Sequence, residues 1–327
     1  MSTYKTATSW IWNPTVVNPT EQDTMEGKLK TVFHIFVWLV AIGLSSAQNF
    51  GVSEFQKKSA DCTAAKTDCF ESDPSDSTTL IAMAGSISMI VGVLVLLAGA
   101  AYFNAQEFVQ QTTLNVTIQF LTLYGTTATF FVWTQAAEKD DTPAYWLGLF
   151  ATLVSCYAQV LLYCTSSTLD VIALPRAFLP CFALSIQIIS AIAISGGDWK
   201  NTQGANSAET EFSDAQKFAA WCVPVCLGVS IVLMLALRGY TTDRVTGFSE
   251  LGEHPFYRSL VLTPFLLSGI LAAYKLSFVK ADDHPTGFLF SLVGMMLTFG
   301  IINVVFVPSS KASGGPVKGT LVAGTEI

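Results

Sequence analysis

The residues of this chain that have reactive or ligating side chains fall into three groups. The first is the cysteines, seven in all. Cys62 and Cys69 sit in a polar stretch with C-x6-C spacing, which suits a disulfide that tightens a long loop by about 2–3 kcal/mol in an oxidising compartment. Cys222 and Cys226 stand at i,i+4 spacing around Pro224. Zinc binding there would need ligands from elsewhere, so packing is the expected use. The second group is two pairs of carboxylates in short turns, Asp140/Asp141 and Asp282/Asp283. Such pairs concentrate cations at a pore mouth or dock a basic partner. The third is a set of amides, Gln119, Gln159 and Gln187, each inside an apolar run. There they either bond helix to helix or line a path for a neutral solute.

Other chemistry is missing. His34, His254 and His284 are scattered, with no H-E-x-x-H among them. The chain has no phosphate-cradling glycine loop with a lysine, no G-x-S-x-G elbow and no dinucleotide fingerprint. No catalytic, cofactor-binding or metal-ligating set is expected, and no cofactor is specified.

The elements that position these groups follow from composition. Of 327 residues, 51% are hydrophobic and 13% charged, against about 25% charged in a soluble domain, and the formal net charge is -7. This excludes a soluble globular enzyme, a disordered chain and a nucleic-acid binder acting through a basic face. Crossing about 30 Å of hydrocarbon takes roughly 20 apolar residues in a helix. Eight stretches meet that length: 31–50, 79–103, 116–136, 144–164, 174–195, 216–237, 259–279 and 287–307. They stay apolar too long to be barrel strands, which would alternate over about ten residues. The expected fold is an all-α, polytopic membrane protein with eight transmembrane helices. Frequent Gly, Ser, Thr and Ala within the runs favour close helix packing. Lys275 lies about one turn from the end of its run, where it can snorkel to the interface.

An even number of spans puts both termini on one face. All four arginines, Arg176, Arg238, Arg244 and Arg258, fall on that face, which the positive-inside rule assigns to the cytoplasm. The opposite face then carries the net negative charge. Nothing distinguishes a plasma membrane from an organelle membrane.

A repeat divides the chain. KDDTP at 139–143 and ADDHP at 281–285 are separated by 142 residues, and GVLVLLAG resembles GVSIVLMLALRG at a similar offset. Two tandem four-helix repeats in the same orientation account for this, covering 31–164 with a long outer loop 51–78 and 165–307 with outer loop 196–215. Residues 1–30 form an aromatic-containing arm and 308–327 a Gly- and Ser-rich tail. A four-helix unit with a long, cysteine-bearing first outer loop and a short second one resembles the claudin and tetraspan architecture. The claudin Gly-Leu-Trp signature and the tetraspanin Cys-Cys-Gly motif are absent, so no residue role or activity is carried across.

The functional expectation is a non-enzymatic structural or assembly protein. It would pack laterally with itself or with membrane partners, contact lipid and present an acidic outer surface. Trp10 and Trp12 in the arm, together with Asp140, Asp141, Asp282 and Asp283, are the expected partner contacts. A channel or transporter for a neutral solute or cation is the alternative, with Gln119, Gln159 and Gln187 as its polar lining.

Overall fold

The computed structural model describes residues 32–48, 76–102, 112–137, 143–167, 173–197, 199, 211–240, 255–279 and 285–306. These form eight helices in chain order: α1 (Val32–Gln48), α2 (Asp76–Tyr102), α3 (Thr112–Ala137), α4 (Pro143–Ser167), α5 (Ala173–Gly196), α6 (Asp214–Tyr240), α7 (Pro255–Phe278) and α8 (Pro285–Phe306). Each apolar run of the sequence falls on one of them. Local chemistry sets several ends. α4, α7 and α8 begin on proline, whose fixed φ suits the first turn and whose missing N–H costs nothing there. α6 opens with a reciprocal capping box: the Ser213 N–H donates to Gln216 Oε1 at 2.9 Å, and the Gln216 N–H to Ser213 Oγ at 3.3 Å. α5 closes on Gly197, whose φ of 79° lies in the left-handed region that favours glycine.

Five helices, α2, α4, α5, α6 and α7, contain windows long and apolar enough to cross a membrane. α1 and the Gly287–Ile301 part of α8 are apolar but shorter. α3 is outside that set because it is rich in threonine, and its position explains how this is tolerated. It packs on α2, α4 and α5, and Thr122, Thr126, Thr127 and Thr129 are all buried. Each of these hydroxyls donates to a carbonyl one turn back on α3 itself. A helix enclosed by others need not be lipid-soluble on any face.

Packing runs through two groups of helices joined along α3 and α5. On one side, Trp38 and Ala41 of α1 share a cluster with Met89 of α2, Ile118 of α3 and Ala158 and Leu161 of α4. Ser45 Oγ adds hydrogen bonds to Ser86 Oγ (3.0 Å) and Thr129 Oγ1 (3.1 Å). Small residues bring α2 and α3 together. A Cβ on Gly125 would lie 2.8 Å from the Gly85 carbonyl oxygen, and a Cβ on Gly85 would overlap that of Ala128. On the other side, α5, α6, α7 and α8 close a ring in which each helix packs on the next. Aromatic side chains cover one end of the bundle. Trp199 and Phe212, from the connection between α5 and α6, are buried there, with rings 6.4 Å from Phe131 and 5.7 Å from Phe278 respectively.

The expected disulfide is corrected. Cys156, Cys181, Cys222 and Cys226 are free thiols, and no cystine occurs among the described residues. These four lie on helices, where Cys181 packs in the apolar core and Cys222 and Cys226 project from successive turns of α6. Cys62 and Cys69 lie outside the described residues.

Candidate functional site

Two features of the interior stand out: a polar centre among α5, α7 and α8, and a carbon-lined cleft among α3, α4, α5 and α8.

The polar centre is built on Lys275. Its sequence position suggests snorkelling, yet the side chain is fully buried and its Nζ donates to Gln187 Oε1 across the ring from α7 to α5. Phe278 and Val279, the next turn along, are buried as well, and Phe212 stacks edge-on against Phe278. α5, α7 and α8 contain no Asp or Glu, so the amide oxygen is the partner in place of a carboxylate. Gly294 makes room for that amide, since a Cβ there would stand 2.7 Å from Gln187 Nε2. Gln187 Nε2, Ser190 Oγ and Ser291 Oγ have no hydrogen-bond partner. Ser190 lies one turn beyond Gln187 on α5, and Ser291 one turn from Gly294 on the antiparallel α8. On α3, by contrast, every buried threonine hydroxyl is bonded back to its own helix.

The cleft has a volume of about 590 Å³. Leu123 and Phe130 of α3, Phe178, Phe182 and Ile186 of α5, and Phe290 and Val293 of α8 supply its walls. The Phe130 and Phe290 rings stack at 5.8 Å, and Phe178 and Phe182 sit 5.8 Å apart. It exists because α4 packs closely on α3 and only lightly on α5, leaving a gap towards α8. Val160 of α4 and Leu289 of α8, both about half-exposed, mark its mouth. Three polar side chains reach the lining from α3 and α4. Thr126 and Thr127 donate to the carbonyls of Thr122 and Leu123, and Gln159 Nε2 approaches Thr126 Oγ1 at 3.5 Å. What faces the cleft is therefore almost wholly carbon, with the free Cys156 thiol of α4 also in the lining.

The three glutamines singled out by sequence are all buried but occupy different places. Gln159 lines the cleft and Gln187 holds Lys275. Gln119 of α3 is in neither feature, and its Oε1 has no partner. Trp10, Trp12, Asp140, Asp141, Asp282 and Asp283 lie outside the described residues. Among the described residues, no group of three His, Cys, Asp or Glu side chains is placed to hold a metal ion. Sequence reasoning missed the cleft, because it arises from the relative placement of four helices. It also missed Ser190 and Ser291, for which no local signal exists.

Fold and interior together define a helical, membrane-embedded bundle. No protein-family model, curated protein or solved structure matches the chain.

Proposed function

We propose that the chain is a non-enzymatic integral membrane protein that acts by lateral association, with copies of itself or with partner membrane proteins, and presents an acidic outer surface. In this reading all eight helices cross the bilayer as two four-helix repeats of one orientation, with both termini cytoplasmic. The carrying observation is the outward face of α2. Leu80, Met83, Ile87, Ile90 and Leu94 are all well exposed, at successive spacings of three, four, three and four residues. That average of 3.5 is the seam period of helices that pack side by side. The inner face of the same helix is already occupied by α3 and α5. The buried polar groups, bonded largely within or between helices, also favour a role through surfaces over one through an interior passage.

The test is the oligomeric state in a bilayer. Subunit counting on fluorescently tagged full-length protein in native-lipid nanodiscs should show a defined oligomer. Replacing Met83 and Ile87 by Trp should dissociate it without lowering membrane insertion. Monomers at every protein density would overturn the reading.

A further inference from the structure

We infer that the cleft among α3, α4, α5 and α8 is a binding site for the acyl tail of a bilayer glycerolipid, inserted from the side between α4 and α8. The inference rests on the chain being embedded in a membrane and is independent of its oligomeric state.

Shape selects the occupant first. On α5 the lining runs from Phe178 to Ile186, about 12 Å of helix at 1.5 Å per residue. The rings of Phe130, Phe178, Phe182 and Phe290 break up the space along that length, an outline that a flexible hydrocarbon chain can follow.

Chemistry selects next. The Thr126 and Thr127 hydroxyls and Gln159 Nε2 are directed to α3, and no charged side chain is in the lining, so the walls offer little to a phosphate, a sugar or an ammonium headgroup. On α3 and α5 the lining lies in the middle turns, while on α8 it begins at Leu289, one turn inside the helix start at Pro285. The part of a lipid that reaches the deeper turns around Leu123 and Phe130 is the tail. No water-driven gain is available there, because the competing medium is itself hydrocarbon. Retention must come from close packing against Phe130, Phe178, Phe182 and Phe290, so the tail should exchange with bulk lipid yet be held longer than the annular shell.

The probe is a phosphatidylcholine carrying a photoactivatable diazirine, in one series at mid-chain and in another next to the glycerol. Full-length protein is reconstituted in nanodiscs with each, illuminated, and the labelled peptides are mapped by mass spectrometry. The mid-chain probe should label the α4 and α5 cleft segments severalfold more than the outward face of α6 around Val232, which is exposed and outside the α2 face. The glycerol-proximal probe should not label the cleft. Val160→Trp and Leu289→Trp, which fill the mouth from half-exposed positions, should each cut cleft labelling severalfold and leave α6 labelling unchanged. Cleft labelling no higher than that at Val232, or unaltered in both variants, would overturn the inference. So would equal cleft labelling by the glycerol-proximal probe, or a cleft cross-link to a second copy. Loss of labelling at Val232 as well would instead refute membrane embedment.

Discussion

Replacing Gln187 by Leu strands the Lys275 ammonium inside the α5–α8 ring. In the native protein that group is fully buried, faces no carboxylate on α5, α7 or α8, and donates to Gln187 Oε1. Removing the acceptor of a buried hydrogen bond costs about 1–3 kcal/mol, and more where the stranded donor is charged. Lys275→Met errs the other way. It leaves a neutral amide with both Oε1 and Nε2 unpartnered, worth about 1–3 kcal/mol. The double variant Gln187→Leu/Lys275→Met removes both liabilities and should unfold close to the wild-type point. The ordering expected is therefore Gln187→Leu least stable, Lys275→Met intermediate and the double variant near native. The coupling energy should be at least about 2 kcal/mol in favour of the double variant, at the upper end for contacting residues. Reversible unfolding in mixed micelles, followed by tryptophan fluorescence, measures all four corners. Trp199 lies in the aromatic cover of this bundle end and is suited to report its loosening. Additive losses, with the double variant worse than either single one, would refute the assignment of Lys275 to Gln187.

Further outcomes follow from other contacts. Gly125→Ala places a methyl 2.8 Å from the Gly85 carbonyl and Met89 Cβ, and should destabilise by about 1–3 kcal/mol through overpacking at the α2–α3 crossing. The same unfolding assay checks it, and a loss below 0.5 kcal/mol (a roughly neutral change) would mean that the two helices separate freely. Ser213→Ala removes the hydroxyl half of the α6 capping box and should cost about 0.5–2 kcal/mol, with faster amide exchange confined to the first turn of α6. Replacing Gln119, Gln159 and Gln187 individually by Leu should leave solute and ion leakage from proteoliposomes unchanged if the protein acts through its surfaces. A drop in flux in any one of them, at equal expression, would favour a passage instead.

Much of the architecture was legible because each apolar run is long, and a run of twenty such residues has few alternatives to a helix in lipid. Helix rotation was not legible. Core and lipid-facing positions are both apolar, so α2 and α8 carry no polar stripe to show which side faces inward. For that reason three glutamines that look alike in sequence take up separate places: one in the cleft wall, one on Lys275 and one against neither. Lys275 defeated a one-dimensional estimate of depth because its partner, Gln187, lies 88 residues earlier in the chain. α3 shows the reverse case. Its threonines lower its hydropathy, yet the enclosed centre of the bundle is where such a helix belongs. The capping box at Ser213 and Gln216, by contrast, can be read directly from four adjacent residues.

The central claim, action by lateral association, is tested most directly by a cryo-electron-microscopy map of the protein extracted from its native membrane in mild detergent. The account predicts an oligomer or hetero-complex, with α2 and its Leu80–Leu94 face buried against a neighbour and dry contacts between bundles. A monomer, or a ring enclosing a hydrated passage lined by the buried amides, would contradict it.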